Sequence, residues 1–198
     1  MLRTRFVTGS VLALTLTLGV AGCSLLPGNT GSGAGGSDAS SPAATPTAAP
    51  ATGDTVKGTG YSYVVPKSWE EQDKALAAST DTIALDSKLT GDFSTNVNVV
   101  ISSSGAASAD LIEPRIVKEL TGGGATNAKV RERLTIAGAE SAHVAARLTN
   151  SGVTYNVQQY YIPHDSSTYV VTFSFATTVP DGDAIDIAES VLATWKWS

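Results

Sequence analysis

The sequence predicts an α+β domain, in which helices pack on an antiparallel sheet of about six to seven strands. Alternating segments between residues 129 and 176 follow one another through short loops, as antiparallel neighbours do. The segment 168–176 is largely apolar on both faces, which predicts cover on both sides of the sheet. Two segments with helical spacing, near 108–121 and 183–195, can supply that cover.

The N-terminal leader ends at Cys23, the only cysteine of the 198 residues. Arg3 and Arg5 give it a positive start, and residues 6–20 form an apolar run that is too short and wrongly flanked for a transmembrane helix. The ending Val20-Ala21-Gly22-Cys23 resembles the lipobox of bacterial lipoproteins. In that family the cysteine thiol carries a diacylglyceryl group, and cleavage makes the cysteine the new N-terminus.

The resemblance implies that residues 1–22 are a lipoprotein signal peptide and that Cys23 is lipidated. The protein is then expected on the outer face of the cell membrane, with the membrane as a partner through that lipid. An ordinary signal peptide with an incidental cysteine is the alternative. With Cys23 committed to lipid no disulfide can form, so the domain must be held by its core alone.

Residues 23–57 are predicted to form a lipidated cysteine followed by a disordered tether. From residue 24 onward this stretch is built from Gly, Ser, Ala, Thr and Pro, which offer too little apolar surface to offset the entropy of ordering. The Pro-spaced tract 45–50 is also compatible with O-glycosylation, although a plain spacer is the favoured interpretation. The remaining residues, 58–198, are enough for one domain with its own core.

The first half of the domain shows three strand patterns and one helix pattern. Strands are predicted at 61–65, 82–85 and 96–101, with residues 70–74 left undecided between helix and strand. Ile112, Ile116 and Leu120 recur at a spacing of four after Ser108, which can cap a helix. Pro114 requires this helix to start near residue 113 or to bend there, and glycines 122–124 end it.

The second half shows four strands and a final helix. The strands are predicted at 129–136, 140–149, 153–162 and 168–176, and the helix at 183–195. In the third strand the apolar phase changes between Val157 and Tyr160, which predicts a bulge near Gln158 and Gln159. The complete order is three strands, a helix, four strands and a helix.

The charge balance excludes some classes of partner. Removing Arg3 and Arg5 from the 13 Lys and Arg leaves 11 against 18 Asp and Glu, a net charge of −7. An acidic chain without a basic aromatic platform is a poor candidate for binding nucleic acid, so none is expected as a partner.

The sequence shows no catalytic motif, and no catalytic residue, metal or cofactor is predicted. There is no G-x-S-x-G elbow, and the imidazoles are limited to His143 in a strand and His164 in a turn. Acidic residues at 181, 183, 186 and 189 hint at calcium but lack the alternation of an EF-hand loop. Capping of the last helix and attraction to its positive N-terminus explain them better.

One constellation suggests a binding surface. A three-residue turn at 137–139 would place Arg133 opposite His143 and give the hairpin one cationic face. That face, a candidate for an anionic ligand or an acidic partner, would comprise Lys129, Arg131, Arg133, His143 and Arg147. The alternative is a solvated sheet face whose charges are balanced by Glu113 and Glu119.

The order of elements, the Tyr-rich first strand, Val65-Pro66 and Trp69 resemble the LpqN-type lipoproteins of mycobacteria and relatives. The turn at 136–139, followed by a strand of small and apolar residues, is also similar to that family. The resemblance covers residues 58–198 and implies a PsbP-like α/β/α sandwich. It supplies no catalytic set, and it implies a binding or assembly role in envelope biogenesis.

The sequence therefore favours a non-enzymatic, lipid-anchored envelope protein that binds a partner protein, an envelope lipid or a glycan. An envelope hydrolase or transferase is the second hypothesis. A structural or antigenic surface lipoprotein without a ligand is the third.

Overall fold

The computed structural model describes residues 43–73, 79–102 and 104–198. Cys23, the leader and residues 24–42 of the predicted tether lie outside these ranges. Within them the chain forms two helices and eleven strands, all of the paired strands being antiparallel. The elements are β1 Thr55–Gly58, β2 Tyr61–Val64, β3 Trp69–Glu71, β4 Thr82–Thr90, β5 Phe93–Ser102, α1 Ala109–Gly122, β6 Thr126–Val130, β7 Leu134–Ile136, β8 Ala139–Asn150, β9 Val153–His164, β10 Ser167–Ala176, α2 Asp181–Leu192 and β11 Lys196–Trp197.

The predicted α+β class is confirmed, with a larger sheet than expected. Eight strands form the main sheet in the order β3-β4-β5-β10-β9-β8-β6, and β7 also pairs with β8. A second, three-stranded sheet has the order β1-β2-β11. The strand β3 settles the first part of the undecided stretch after Trp69.

The predicted cover on both faces of the main sheet is also confirmed. In β10 the side chains of Val171 and Phe173 join the core cluster beneath α2, whereas Val170 packs with the cluster beneath α1. The α1 stripe is buried as expected, and the α2 stripe is contributed by Ala184, Ala188, Val191 and Leu192. Each helix therefore covers a different face of one sheet.

Two helix predictions need adjustment. Helix α1 begins at Ala109 and continues through Pro114 to Gly122, with Ser108 at the N-cap position but without a side-chain capping bond. Helix α2 begins two residues earlier than predicted, at Asp181, and ends at Leu192. Trp195 follows α2 and is buried against Tyr61, their ring centroids being 4.5 Å apart.

The predicted bulge at Gln158 and Gln159 is wrong. Strand β9 pairs with β8 and β10 in unbroken register through both residues. The alternation of apolar residues is broken in the sequence because both faces of β9 are covered and each face contains one of the two glutamines. The side chain of Gln158 faces His143, and that of Gln159 faces Thr172 on the opposite side.

The prediction of disorder up to residue 57 is wrong for residues 43–57. Strand β1 pairs with β2, and its Val56 is only 1% exposed. We call residues 43–54 the N-terminal strap, because hydrogen bonds tie them to the domain. The strap bonds Ala44 O to Thr135 N at 2.7 Å, Ala51 N to Ser190 O at 2.8 Å and Gly53 N to Val65 O at 2.8 Å. These backbone bonds need no apolar side chains, so composition did not reveal them.

Candidate functional site

The hairpin that carries the predicted cationic face has a different turn from the one expected. Ala137 and Gly138 form a two-residue turn with φ of 46° and 85°, the positive values that tight hairpins require. Ile136 therefore pairs with Ala139 and Leu134 with Ser141. Upstream the register changes, and Lys129 pairs with Ala145. The predicted continuous strand 129–136 is wrong, because residues 131–133 interrupt the ladder. The predicted three-residue turn is wrong, because Ile136 pairs directly with Ala139.

This change of register removes Arg133 from the cationic face. Leu134 and Ile136 belong to the core cluster on the α2 side, and Arg133 instead reaches the carboxylates around the start of α1. Its Nε and Nη2 donate to the two oxygens of Glu113 at 2.7 and 2.8 Å. Its Nη2 also donates to Asp110 at 2.5 Å and its Nη1 to Glu140 at 3.0 Å.

Four of the five N–H donors of this guanidinium bond to three carboxylates, so its charge is already compensated and it is a poor contact for an external anion. These bonds, Glu113 first, raise the pKa of Arg133 further above its already high value. The pairing with Glu113 is the charge balance that the alternative interpretation of the face predicted. Arg133 thus joins α1 to the β7–β8 hairpin.

Arg131 is engaged on the other face of the sheet, where it binds Asp181 at the start of α2. Asp181 also accepts a bond from Gln158 Nε2 at 3.0 Å. Partial burial would raise the pKa of Asp181, but the bonds from Arg131 and Gln158 outweigh it and lower that pKa. Asp181 therefore links α2 to strand β9 and to the segment between β6 and β7, instead of capping the helix or holding a cation.

His143 is a buried core residue, 4% exposed. The amide nitrogen of Gln158 donates a hydrogen bond to Asp181. The amide oxygen of Gln158 therefore accepts a hydrogen bond from His143 Nε2, at 2.8 Å. The imidazole stacks on Tyr160 with ring centroids 4.1 Å apart. Burial lowers the pKa of His143, and the positive charge of the nearby Arg131 lowers it further. The hydrogen bond with Gln158 acts in the opposite direction but does not outweigh them. A neutral, buried imidazole cannot act as a cationic contact.

Only Lys129 and Arg147 of the predicted cations make no ion pair within the described part of the chain. Arg147 Nε donates to Asn156 Oδ1 at 3.0 Å, which leaves its charge uncompensated. The single cationic face is therefore not formed. A ligand role for the remaining pair stays a prediction.

The chemistry available around His143 is limited. Tyr160 OH and Arg131 Nε are fully buried there without a hydrogen-bond partner among the described residues. No serine or threonine hydroxyl bonds to the imidazole in the same part of the chain. No cluster of three or more His, Cys, Asp and Glu side chains that could hold a metal occurs in the ranges described. No helix in those ranges is long and apolar enough to cross a bilayer.

Few features of the sequence indicate the partners that hold these charges. The sequence pattern indicates a bulge at Gln158 and Gln159 and a helix cap at Asp181 or Asp183. The available signal was a pair of adjacent amides, Gln158 and Gln159, between Val157 and the aromatic pair Tyr160-Tyr161 of a predicted strand. A buried strand amide of this kind predicts a buried polar partner.

Comparisons with known proteins support the fold only. No protein-family model matches the chain. No curated protein matches it significantly. The crystal structure of LpqN of Mycobacterium tuberculosis, described as involved in cell envelope biogenesis, matches with a TM-score of 0.52 and 11% identity over 72% of this chain and 88% of LpqN. This match shows a shared fold.

Two further solved structures are similar at a TM-score of 0.49 and 15% identity. One is the solution structure of PsbP from the cyanobacterium Synechocystis, with 73% of this chain and 92% of that one covered. The other is a crystal structure from Bacteroides thetaiotaomicron, with 74% of this chain covered. The chain spans about half the length of the Bacteroides protein, 48%.

Proposed function

We propose that this protein is a lipid-anchored cell-envelope protein that acts as a non-enzymatic binding or assembly factor. The observation that carries the proposal is the sequence Val20-Ala21-Gly22-Cys23 at the end of a leader with a positive start. The fold shared with LpqN, a protein described as involved in envelope biogenesis, supports the same compartment.

A binding role is supported by the state of the imidazoles. The chain has two histidines, and His143 is buried with its Nε2 bonded to Gln158. His164 stacks on Trp197 with ring centroids 3.8 Å apart and lies 3.5 Å from Asp165. Among the residues that the structure describes, neither imidazole bonds to a serine or threonine hydroxyl, as a base that activates such a nucleophile would.

The anchoring is tested by replacing Cys23 with serine in the full chain. The acyl chains that a lipobox cysteine receives hold a protein stably to a bilayer, whereas a serine receives none. The wild type and a Ser24→Ala control should fractionate with membranes and carry a mass increase at Cys23. A Cys23→Ser protein that is processed normally and remains with the membrane would exclude the proposed anchor.

The non-enzymatic role is tested by complementing a deletion strain and measuring envelope permeability. The double variant His143→Gln, His164→Gln removes both imidazoles of the chain. It should restore the barrier as well as the wild type does, provided that it is present at the same level. Loss of complementation by a folded, membrane-bound double variant would favour the enzyme hypothesis instead.

A further inference from the structure

The α1 side of the main sheet carries an uncharged polar surface that the helix does not cover. Helix α1 packs on β8 and β6, at one end of this sheet face. The strands beyond, β9, β10 and β5, present polar side chains there, where a second covering layer would require apolar ones. We call this surface the amide floor; it consists of Asn96, Asn98, Gln159, Thr172 and Ser174.

The strand register makes the amide floor continuous. Asn98 pairs with Thr172, and Thr172 pairs with Gln159, so the three lie in one row across β5, β10 and β9. Asn96 and Ser174 form the adjoining row. Neighbouring strands are about 4.8 Å apart, so the first row spans roughly 10 Å, close to the size of one or two sugar rings.

Two members of the floor are buried without a bonding partner. Asn98 and Ser174 are each 7% exposed, and neither side chain forms a hydrogen bond within the described part of the chain. By contrast, Gln159 donates to Thr172 Oγ1 at 3.1 Å and accepts from Tyr161 OH at 3.1 Å. The floor therefore contains side chains held in place by hydrogen bonds, Gln159 and Thr172, and side chains whose hydrogen-bonding groups are unused, Asn98 and Ser174.

The amide floor reaches the surface through its other members, since Asn96, Gln159 and Thr172 are only half-buried. Asn98 pairs with Thr172, and Ser174 pairs with Asn96, so both unused groups adjoin this exposed part. An apolar side chain at Asn98 would avoid the cost of a poorly satisfied amide, so the fold alone gives no reason for this residue.

The surroundings select an uncharged ligand. Strands β5 and β10 contain no Asp, Glu, Lys or Arg, and the same holds for residues 153–163 of β9. A charged ligand on these strands would lose its hydration without gaining a counter-charge from them. Half-buried aliphatic side chains at Leu85, Val100 and Val170 border the polar rows.

We infer that the amide floor binds a neutral saccharide. Amide and hydroxyl side chains offer donors and acceptors side by side, which matches sugar hydroxyls. The aliphatic border matches the C–H faces of sugar rings, as in ligand sites that combine apolar walls with a few polar groups. The inference deepens the proposed function, since it names a ligand class for the binding role. It does not depend on the anchor.

Calorimetric titration of the full chain, purified in a sugar-free detergent, tests the inference. The probes are neutral trisaccharides of glucose, galactose and mannose, with trigalacturonic acid as the charged counterpart of galactotriose. At least one neutral probe should bind saturably, and trigalacturonic acid should bind at least tenfold more weakly than galactotriose or not at all. Because titration does not involve Cys23, its failure is separate from a failure of the membrane fractionation.

Two variants locate the site. Asn98→Leu should reduce affinity at least tenfold while the melting temperature stays the same or rises, because a poorly bonded amide is removed. Thr172→Val should also weaken binding, whereas Thr154→Val should not. Thr154 is the matched control, since it is exposed and bonds only to Thr149 at 2.9 Å. Absence of binding to every neutral probe, or equal binding by Asn98→Leu and wild type, would overturn the inference.

Discussion

The carboxylate of Glu189 in α2 accepts two hydrogen bonds from Thr47, one from the backbone nitrogen at 2.8 Å and one from Oγ1 at 3.2 Å. This contact joins residues that are 142 positions apart, and it places the N-terminal strap against the last helix. The stretch that composition assigns to a tether is therefore partly a component of the domain.

Removal of the strap and β1 should destabilise the protein. A chain that begins at Gly58 loses Val56, whose burial contributes about 1.5–3 kcal/mol, together with the strap's hydrogen bonds. We expect the melting temperature to fall by about 5 °C or more relative to a chain that begins at Ala43. Thermal unfolding by circular dichroism compares the two chains. Equal melting temperatures would show that the strap contributes no stability.

Gly53→Ala should release the strap from β2. A Cβ at this position would lie 2.4 Å from Val65 O and 2.7 Å from the carbonyl carbon of Pro66, and these backbone atoms cannot move aside. Limited proteolysis should then cut between residues 43 and 53 faster than in the wild type. Gly122→Ala is the matched control, because its Cβ would meet nothing within 4 Å. Equal protection of the wild type and Gly53→Ala would contradict the docking.

Arg133→Gln should destabilise the fold, whereas Lys129→Gln and Arg147→Gln should hardly change the free energy of unfolding. The first change leaves the mostly buried carboxylate of Glu113 without its bidentate partner, at a cost of about 1–3 kcal/mol. The other two remove charges without an ion pair and should change the free energy of unfolding by less than about 0.5 kcal/mol. Urea denaturation measures all three. The reverse order would mean that the ion pairs of Arg133 contribute nothing.

Acid should weaken the fold in two steps. Burial and Arg131 lower the pKa of His143 below 6.5, so the unfolded chain binds the proton more tightly, and stability is lost as pH falls below about 6.5. Asp181 has a pKa lowered from 3.8, so its contribution is lost below about pH 4. His143→Gln should remove the first step and keep the second. Identical pH profiles between pH 7 and 5 for His143→Gln and the wild type would contradict this assignment.

The sequence predicted the elements whose pattern repeats over several residues. The stripe of Ile112, Ile116 and Leu120 and the alternation of 168–176 both identified the correct buried faces. Strand β1 was not predicted, because Val56 is its only buried side chain and the other residues of the strand are Thr, Lys and Gly. The hairpin turn was ambiguous because Ala137-Gly138-Ala139 is small enough for either turn length, and one residue decides which face Arg133 occupies.

The candidate site was harder to predict for a physical reason. Arg133 meets Glu113 from 20 positions away, and Arg131 meets Asp181 from 50. A sequence pattern reveals which face of one strand is charged, but not which element lies opposite that face. The amide floor was overlooked because its polar residues alternate with buried apolar ones, as they would on a strand with one solvated face.

The strap also determines how the protein would respond to a mechanical load. In a chain pulled from its upstream end, the bonds at Ala44, Thr47, Ala51 and Gly53 lie in order along the strap, so tension opens them one after another. Released residues 43–54 could span at most roughly 40 Å at about 3.5 Å per residue, so the connection lengthens before β1 is pulled open. The strap would then act as a stored length of chain that is released under tension while the rest of the domain stays folded.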